Sequence, residues 1–219
     1  SHVHLVGIGG VSMSGIAEIL AERGYKVSGS DLKESKYFDL LKKYDLSLYL
    51  GHSAENIKGA DLIVKTSAIP ADNPEIRAAE KMGIKIVKRA EMLAYLMKDK
   101  KTIAVAGTHG KTTVTAMLAA IFKKADKDPA VMVGGFLKEL NGNIADGKGE
   151  FFITEADESD GSFLYFDPYL LLLNNLELDH PDFYDNLDEF MSIFKRFADK
   201  NDKSSILLYN KDDKNLNYL

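Results

Sequence analysis

The stretch "AVAGTHGKTTVTAM" (residues 104–117) decides how the chain is read. A short apolar strand runs into glycines, a lysine and two threonines, and then into a helical pattern. Such a junction gathers free backbone N–H groups and the positive end of a helix dipole at one point, which suits phosphate. Gly107, Thr108, His109, Gly110, Lys111, Thr112 and Thr113 are therefore the candidate triphosphate loop. Lys111 would bring a point charge to the β/γ-phosphates, and the Thr112 hydroxyl would ligate Mg²⁺. The strict GxxxxGK[ST] pattern fails, because Val105 stands where its first glycine belongs. The bland reading is a helix N-terminus that carries a lysine. Gly-Lys-Thr-Thr between strand and helix is hard to meet by chance. His109 reads equally as a solvent-facing loop histidine and as a functional one.

Outward from this loop, apolar strand-like runs alternate with helical runs. That pattern predicts an α/β chain with parallel sheets and crossover helices. "VHLVGI" (3–8), "KVSGSD" (26–31) and "ADLIVKTSA" (60–68) read as strands, and "MSGIAEILAERG" (13–24) as a helix stopped by Gly24. In "DNPEIRAAEKMG" (72–83), Asn73 can cap and Pro74 fits the first helical position, where its missing N–H costs nothing. "IKIVKRAEMLAYLMK" (84–98) closes the first unit with a strand and a helix. The lysine-rich "KDKK" (98–101) is the expected boundary, giving a Rossmann-like domain over 1–99 and a P-loop-type domain over 100–219. The second continues with a helix over 111–124, "AVMVGG", "FFITEADESD", "YLLLLNNLELDH", a helix near 187–198 and "SSILLYN". No closing element follows, so an incomplete second domain is expected, with apolar surface exposed near 203–208. The missing first Met is what a trimmed chain would show.

The second glycine-rich turn is "GIGGVSMSG" (7–15). Gly7 and Gly9 fit the dinucleotide fingerprint, but the third position is Ser12 and Gly10 is extra. Asp31 follows about 20 residues on, where an acid can reach a ribose hydroxyl. A tight turn with no ligand is the plain alternative to a nucleotide diphosphate site. Dinucleotide and nucleotide-sugar both stay open at this point. Two strand ends are acidic: Glu155, Asp157, Glu158 and Asp160 in one, Glu177, Asp179 and His180 in the other. Ligands of open parallel sheets bind outside the carboxyl ends of strands. Either cluster alone reads as a solvated turn, but beside the lysine loop they suit one Mg–phosphate cluster. Mg²⁺ prefers oxygen, so a histidine ligand is more natural for Mn²⁺.

Composition narrows the classes. The chain has 219 residues and a net charge of −5, which argues against broad nucleic-acid binding. It has no cysteine, so disulfides and thiol nucleophiles are out. No apolar run approaches the roughly 20 residues of a membrane span, and no signal peptide opens the chain. A cytoplasmic protein without membrane contact is the expectation.

These motifs carry a likeness. "GIGGVSMSGIAEIL", "SGSDL", "TSAIPADNPEI", "KRAEMLAYLM", "AGTHGKTT", "EADESDGSF" and "NNLELDH" occur in order over nearly the whole chain. The chain resembles the Mur ligases, the ATP-dependent amide-bond-forming enzymes of peptidoglycan synthesis, and within them the alanine-adding branch. The resemblance implies a UDP-sugar-binding first domain and an ATP-binding central domain. It implies that ATP phosphorylates the lactyl carboxylate of UDP-N-acetylmuramic acid and that the L-alanine amine attacks the acyl phosphate. By resemblance Lys111 binds phosphate, Thr112 and Glu155 hold metal, and His180 ligates a second metal. Lys111, Glu155 and His180 form the implied catalytic set. Gly9, Gly10, Met13 and Ser14 match the diphosphate loop, and Asp31, His52, Ser67 and Ala68 match positions around the uridine. Ser12 departs from the usual glycine. Lys195 is not assigned as the carbamylated lysine that some relatives use. Members are about twice this length, so an amino-acid-binding third domain is expected to be absent here, and the 219 residues are expected to bind ligands without ligating. Two other readings stand beside this one. A nicotinamide-dependent oxidoreductase leaves GTHGKTT and the acidic strand ends unexplained. A non-catalytic nucleotide-sugar module leaves no reason to keep Lys111, Thr112 and Glu155 together.

Overall fold

The structure is a computed structural model, and it describes residues 1–137, 140, 142–157, 162–178, 186–200 and 205–218. The chain forms two compact units: Ser1–Tyr95 with Lys138–Asp146, and Leu96–Leu137 with Gly147–Leu219. The division falls inside a helix, a little before the lysine-rich stretch.

Unit 1 contains β1 (His2–Val6), α1 (Val11–Glu22), β2 (Lys26–Asp31), α2 (Lys36–Leu41), β3 (Ser47–Leu50), β4 (Leu62–Lys65), α3 (Pro74–Met82) and β5 (Lys85–Lys88). Its strands run in the order β3-β2-β1-β4-β5, and every pair is parallel. The order reverses beside β1, so the turn after β1 sits at the topological switch point, where such sheets bind ligands. α2 and β3, six and four residues long, are not among the elements read from the sequence. α3 starts as its sequence dictates. The Asn73 side chain accepts from the N–H groups of Glu75 (2.9 Å) and Ile76, Pro74 takes the first helical position, and Gly83 ends the helix at φ 67°. Behind the sheet, Val6, Ile57, Ala60, Ile63, Ile76 and Ala79 form one buried cluster.

α1, read from the sequence as a helix stopped by Gly24, is buried from Met13 through Leu20 without a break. Its outer face is covered by β8 (Gly142–Ala145), which belongs to unit 1 by packing although it lies far along the chain. Asn143 Nδ2 donates to the Val11 carbonyl at 2.7 Å, and Arg23 grips Asp146 through Nε (3.0 Å) and a second nitrogen (2.9 Å). The buried stretch includes Ser14 and Glu18, whose carboxylate pairs with Lys43 at 3.3 Å.

α4 (Arg89–Met97) spans the division, and unit 2 follows with β6 (Lys101–Ala106), α5 (Lys111–Lys124), β7 (Ala130–Leu137), β9 (Phe151–Glu155), β10 (Leu170–Leu173), α6 (Leu187–Lys200) and β11 (Ile206–Tyr209). Its strands run β11-β10-β6-β9-β7, again in parallel. α6 turns Phe190, Phe194 and Phe197 inward. Phe163 meets Phe197 edge-on at 4.6 Å, a favoured aromatic geometry. At the other edge β11 is bare: Ile206, Leu207, Leu208 and Tyr209 are each 45–54% exposed. The apolar surface expected near 203–208 is therefore present over 206–208. Among the described residues, no helix is long and apolar enough to cross a membrane.

Candidate functional site

In unit 2 the lysine loop leaves β6, an inner strand, and enters α5. Gly107 sits at φ 133° and Gly110 at φ 80°, backbone shapes that favour glycine. Space demands the same residue. A Cβ at Gly107 would lie 2.9 Å from the Asn175 carbonyl oxygen, and one at Gly110 would lie 2.7 Å from Asn174 Nδ2. The two asparagines after β10 are the loop's scaffold. Asn174 and Asn175 both donate to the His109 carbonyl (2.8 and 2.9 Å), and Asn175 Oδ1 accepts from His109 N–H at 2.8 Å. Thr108 joins in: its N–H donates to the Asn175 carbonyl, and its hydroxyl bridges the Glu177 carbonyl and N–H at 2.9 Å each. In "NNLELDH" the sequence marks only Glu177, Asp179 and His180 as an acidic strand end. Asn174 and Asn175 carry no such mark, because nothing local ties them to a loop more than sixty residues away.

Lys111 Nζ donates to the carbonyls of Gly107 (2.7 Å) and Thr108 (3.3 Å), so its charge lies over the loop. No side chain caps the start of α5. Thr112 is the second residue of α5, after Lys111, and Thr113 is exposed. Glu155, the last residue of β9, accepts from Gly134 N–H at 2.7 Å. Gly135, one residue on, faces Thr112, with 3.9 Å from an added Cβ to the threonine methyl. Lys111, Thr112 and Glu155 are thus brought to one end of the unit 2 sheet. His109 is exposed and lies 3.8 Å from a Glu177 carboxylate oxygen. His180, Glu158, Asp160 and Asp179 lie outside the described residues, and among the described ones no group of three His, Asp or Glu side chains is placed to hold a metal.

In unit 1 the turn after β1 is held by its neighbours. The N–H groups of Gly7 and Ile8 donate to the Ser30 carbonyl (2.8 and 3.0 Å). Gly9 N–H donates to Asp31 Oδ2 at 2.9 Å, and Ser35 Oγ donates to the Gly9 carbonyl at 2.7 Å. A side chain at Gly9 would collide with Asp31, so this glycine makes room for the carboxylate. Gly10 is exposed and no side chain caps α1. Ser12, the departure from the glycine pattern, is the second residue of that helix and half-buried. Met13 is buried in the core, and Ser14 Oγ donates to the Val11 carbonyl at 2.8 Å. Ser67 and Ala68 form an exposed turn after β4, and a Cβ added at Gly7 would lie 3.6 Å from the next residue, Ile69. His52 follows β3, and its Nδ1 lies 3.0 Å from both Ser30 Oγ and Glu75 Oε2. Glu75 is fully buried. Burial pushes its carboxyl up, but the nearby His4 ring (3.6 Å) and hydrogen bonds from Ser30 and Asn56 outweigh this and hold it below its ordinary value.

Two parallel α/β units, each with a glycine-rich turn running from an inner strand into a helix, define a two-unit protein of the nucleotide-loop class. Comparison with known families narrows this. The Mur ligase family, catalytic domain, matches residues 2–101, and the Mur ligase middle domain matches residues 105–219. The chain belongs to the Mur ligase family. It is 49% identical over 213 residues to a UDP-N-acetylmuramate–L-alanine ligase of Clostridium acetobutylicum, covering 97% of this chain and 46% of the relative. The same enzyme of Persephonella marina is 46% identical, over 98% of this chain and 47% of its own. Among solved structures, the UDP-N-acetylmuramate-alanine ligase of Thermotoga maritima superposes with a TM-score of 0.90 at 34% identity, over 99% of this chain and 50% of that one. The chain spans about half the length of the curated relatives it matches.

Proposed function

We propose that the chain is the nucleotide-handling part of an ATP-dependent ligase that joins L-alanine to the lactyl carboxylate of UDP-N-acetylmuramic acid. The observation that carries the reading is the asparagine-braced lysine loop at the sheet end where Thr112 and Glu155 also lie. The substrates come from the relatives' names, and 46–49% identity over nearly the whole chain supports carrying them across.

In this reading unit 2 takes ATP with Mg²⁺ or Mn²⁺. The residues fit that group: an uncapped helix start, a lysine over the loop, and a hydroxyl and a carboxylate at one sheet end. Bound ATP supplies the phosphoryl group that turns a carboxylate, a poor electrophile, into an acyl phosphate. Lys111 leaves the loop carbonyls to neutralise phosphate charge. Thr112, Glu155 and His180 hold metal, and Gly134 N–H orients Glu155. Gly107, Thr108, His109, Gly110 and Thr113 form the loop around the phosphates, with Thr108 and His109 held in place by their N–H bonds to Asn175. Unit 1 takes the UDP-sugar. The start of α1 with Gly9, Gly10, Met13 and Ser14 receives the diphosphate. Asp31 releases Gly9 to bind the ribose, and His52, Ser67 and Ala68 surround the uracil. The 219 residues alone bind both ligands without ligating, because the electrophile needs shielding from water. A cytoplasmic place in peptidoglycan synthesis follows from the substrate.

Calorimetric titration of the chain tests this. We expect heat from UDP-N-acetylmuramic acid and none from NAD⁺. Binding of NAD⁺ with no response to the UDP-sugar would replace the ligase reading by the oxidoreductase one.

A further inference from the structure

Unit 1 carries a buried polar cluster whose hydrogen bonds fix where one proton sits. Glu75 accepts from Asn56 Nδ2 at Oε1 (2.7 Å) and from Ser30 Oγ at Oε2 (2.6 Å). His52 Nδ1 lies 3.0 Å from that same Oε2 and 3.0 Å from Ser30 Oγ. Ser30 has one hydroxyl hydrogen, and the short contact with a carboxylate takes it. Both neighbours of Nδ1 are then acceptors. In a neutral ring the proton must sit on Nδ1, which leaves Nε2 with a lone pair. Nε2 makes no hydrogen bond among the described residues, and the His52 side chain is 10% exposed.

The sheet order places His52 at the ligand-binding end of the unit 1 sheet. The glycine turn ends β1, Asp31 ends β2, and Gly51 and His52 follow β3, the next strand along. Gly51 N–H donates to the Asp31 carbonyl at 2.8 Å, so His52 is one step beyond the acid. A diphosphate at the turn and a ribose at Asp31 send the base toward His52.

We propose that Glu75 and Ser30 lock His52 with its proton on Nδ1, so that Nε2 accepts the N3–H of a uracil base and selects uridine over cytidine nucleotides. This rests on the UDP-sugar reading above. Cytosine carries no hydrogen at N3 and would set a second lone pair against Nε2. Glu75 is a positioning residue: it does not touch the base, but it decides whether Nε2 accepts or donates. A glutamine at 75 can offer its amide N–H to Nδ1 and so allow the opposite tautomer.

The test has two arms, both on the whole chain at pH 8. Long-range ¹H–¹⁵N correlation of the histidine rings reads the His52 tautomer without any nucleotide. Titration with UDP and with CDP reads base selection. We expect a proton on Nδ1 and a preference for UDP of about tenfold or more. The preference should fall toward parity in Glu75→Gln and in His52→Leu, the second variant guarding against misfolding of the first. A proton on Nε2, equal binding of UDP and CDP by the unaltered chain, or an unchanged preference in His52→Leu would overturn the proposal. If neither nucleotide binds while Nδ1 carries the proton, the UDP-sugar reading itself fails and base selection falls with it.

Discussion

Glu75 shows how much one residue can hold. It is fully buried, and it takes hydrogen bonds from Ser30 and Asn56. Truncation would leave those donors unpaired in a dry interior, so Glu75→Ala should cost about 2–3 kcal/mol in denaturant titration. The pH dependence has a definite sign. The native carboxyl is held below its ordinary value, so its contribution is complete above the unfolded value and is lost as pH falls through the lowered native one. Glu75→Gln should therefore differ most from the unaltered chain near neutrality, and the two stability curves should converge in acid. Glycines give a second contrast. Gly24 (φ 81°) has open space where a Cβ would go, whereas a Cβ at Gly107 (φ 133°) would meet the Asn175 backbone. Gly24→Ala should cost about 1 kcal/mol from backbone conformation alone, and Gly107→Ala about 3 kcal/mol. Equal losses would mean that Asn175 gives way. Little of the Glu75 cluster was legible in the sequence. His4 and Ser30 lie on neighbouring strands that the sequence marks only as strands, and their shared buried neighbour Glu75 lies about seventy residues from His4. Asp31, by contrast, was placed by its distance from the glycine turn, and it does reach that turn.

Among the elements, strands and helices with short-range signals came out as the sequence implied. The caps of α3 and the turns after β1 and β6 are local chemistry, and local chemistry is readable. The cover over α1 is not local, because Asn143 meets Val11 across more than a hundred residues. Asn143→Ala should speed hydrogen exchange in the first turns of α1 and leave α5 unchanged. β11 poses the opposite case. Its four residues are each about half exposed, and among the described residues β11 is an edge strand, where an apolar edge invites pairing with another strand. In sedimentation, Leu207→Lys should reduce self-association of the chain while its melting behaviour stays about the same. Association that persists undiminished would place the sticky surface elsewhere.

For the whole molecule, two separate compact units carry two separate glycine-rich turns, and family membership extends over both. If each turn serves its own nucleotide, damage to one should spare the other. Lys111 is the sharpest point of attack, since its ammonium sits on the unit 2 loop and its unit contains neither Asp31 nor His52. The deciding measurement is calorimetric titration of the unaltered chain and of Lys111→Ala with Mg-ATP and, separately, with UDP-N-acetylmuramic acid. The unaltered chain should bind both. Lys111→Ala should lose at least about tenfold in ATP affinity, the effect of removing a charge-assisted contact, and should bind the UDP-sugar as before. An unaltered chain that binds neither ligand, or a Lys111→Ala chain that keeps its ATP and loses the UDP-sugar, would contradict the assignment of the two turns.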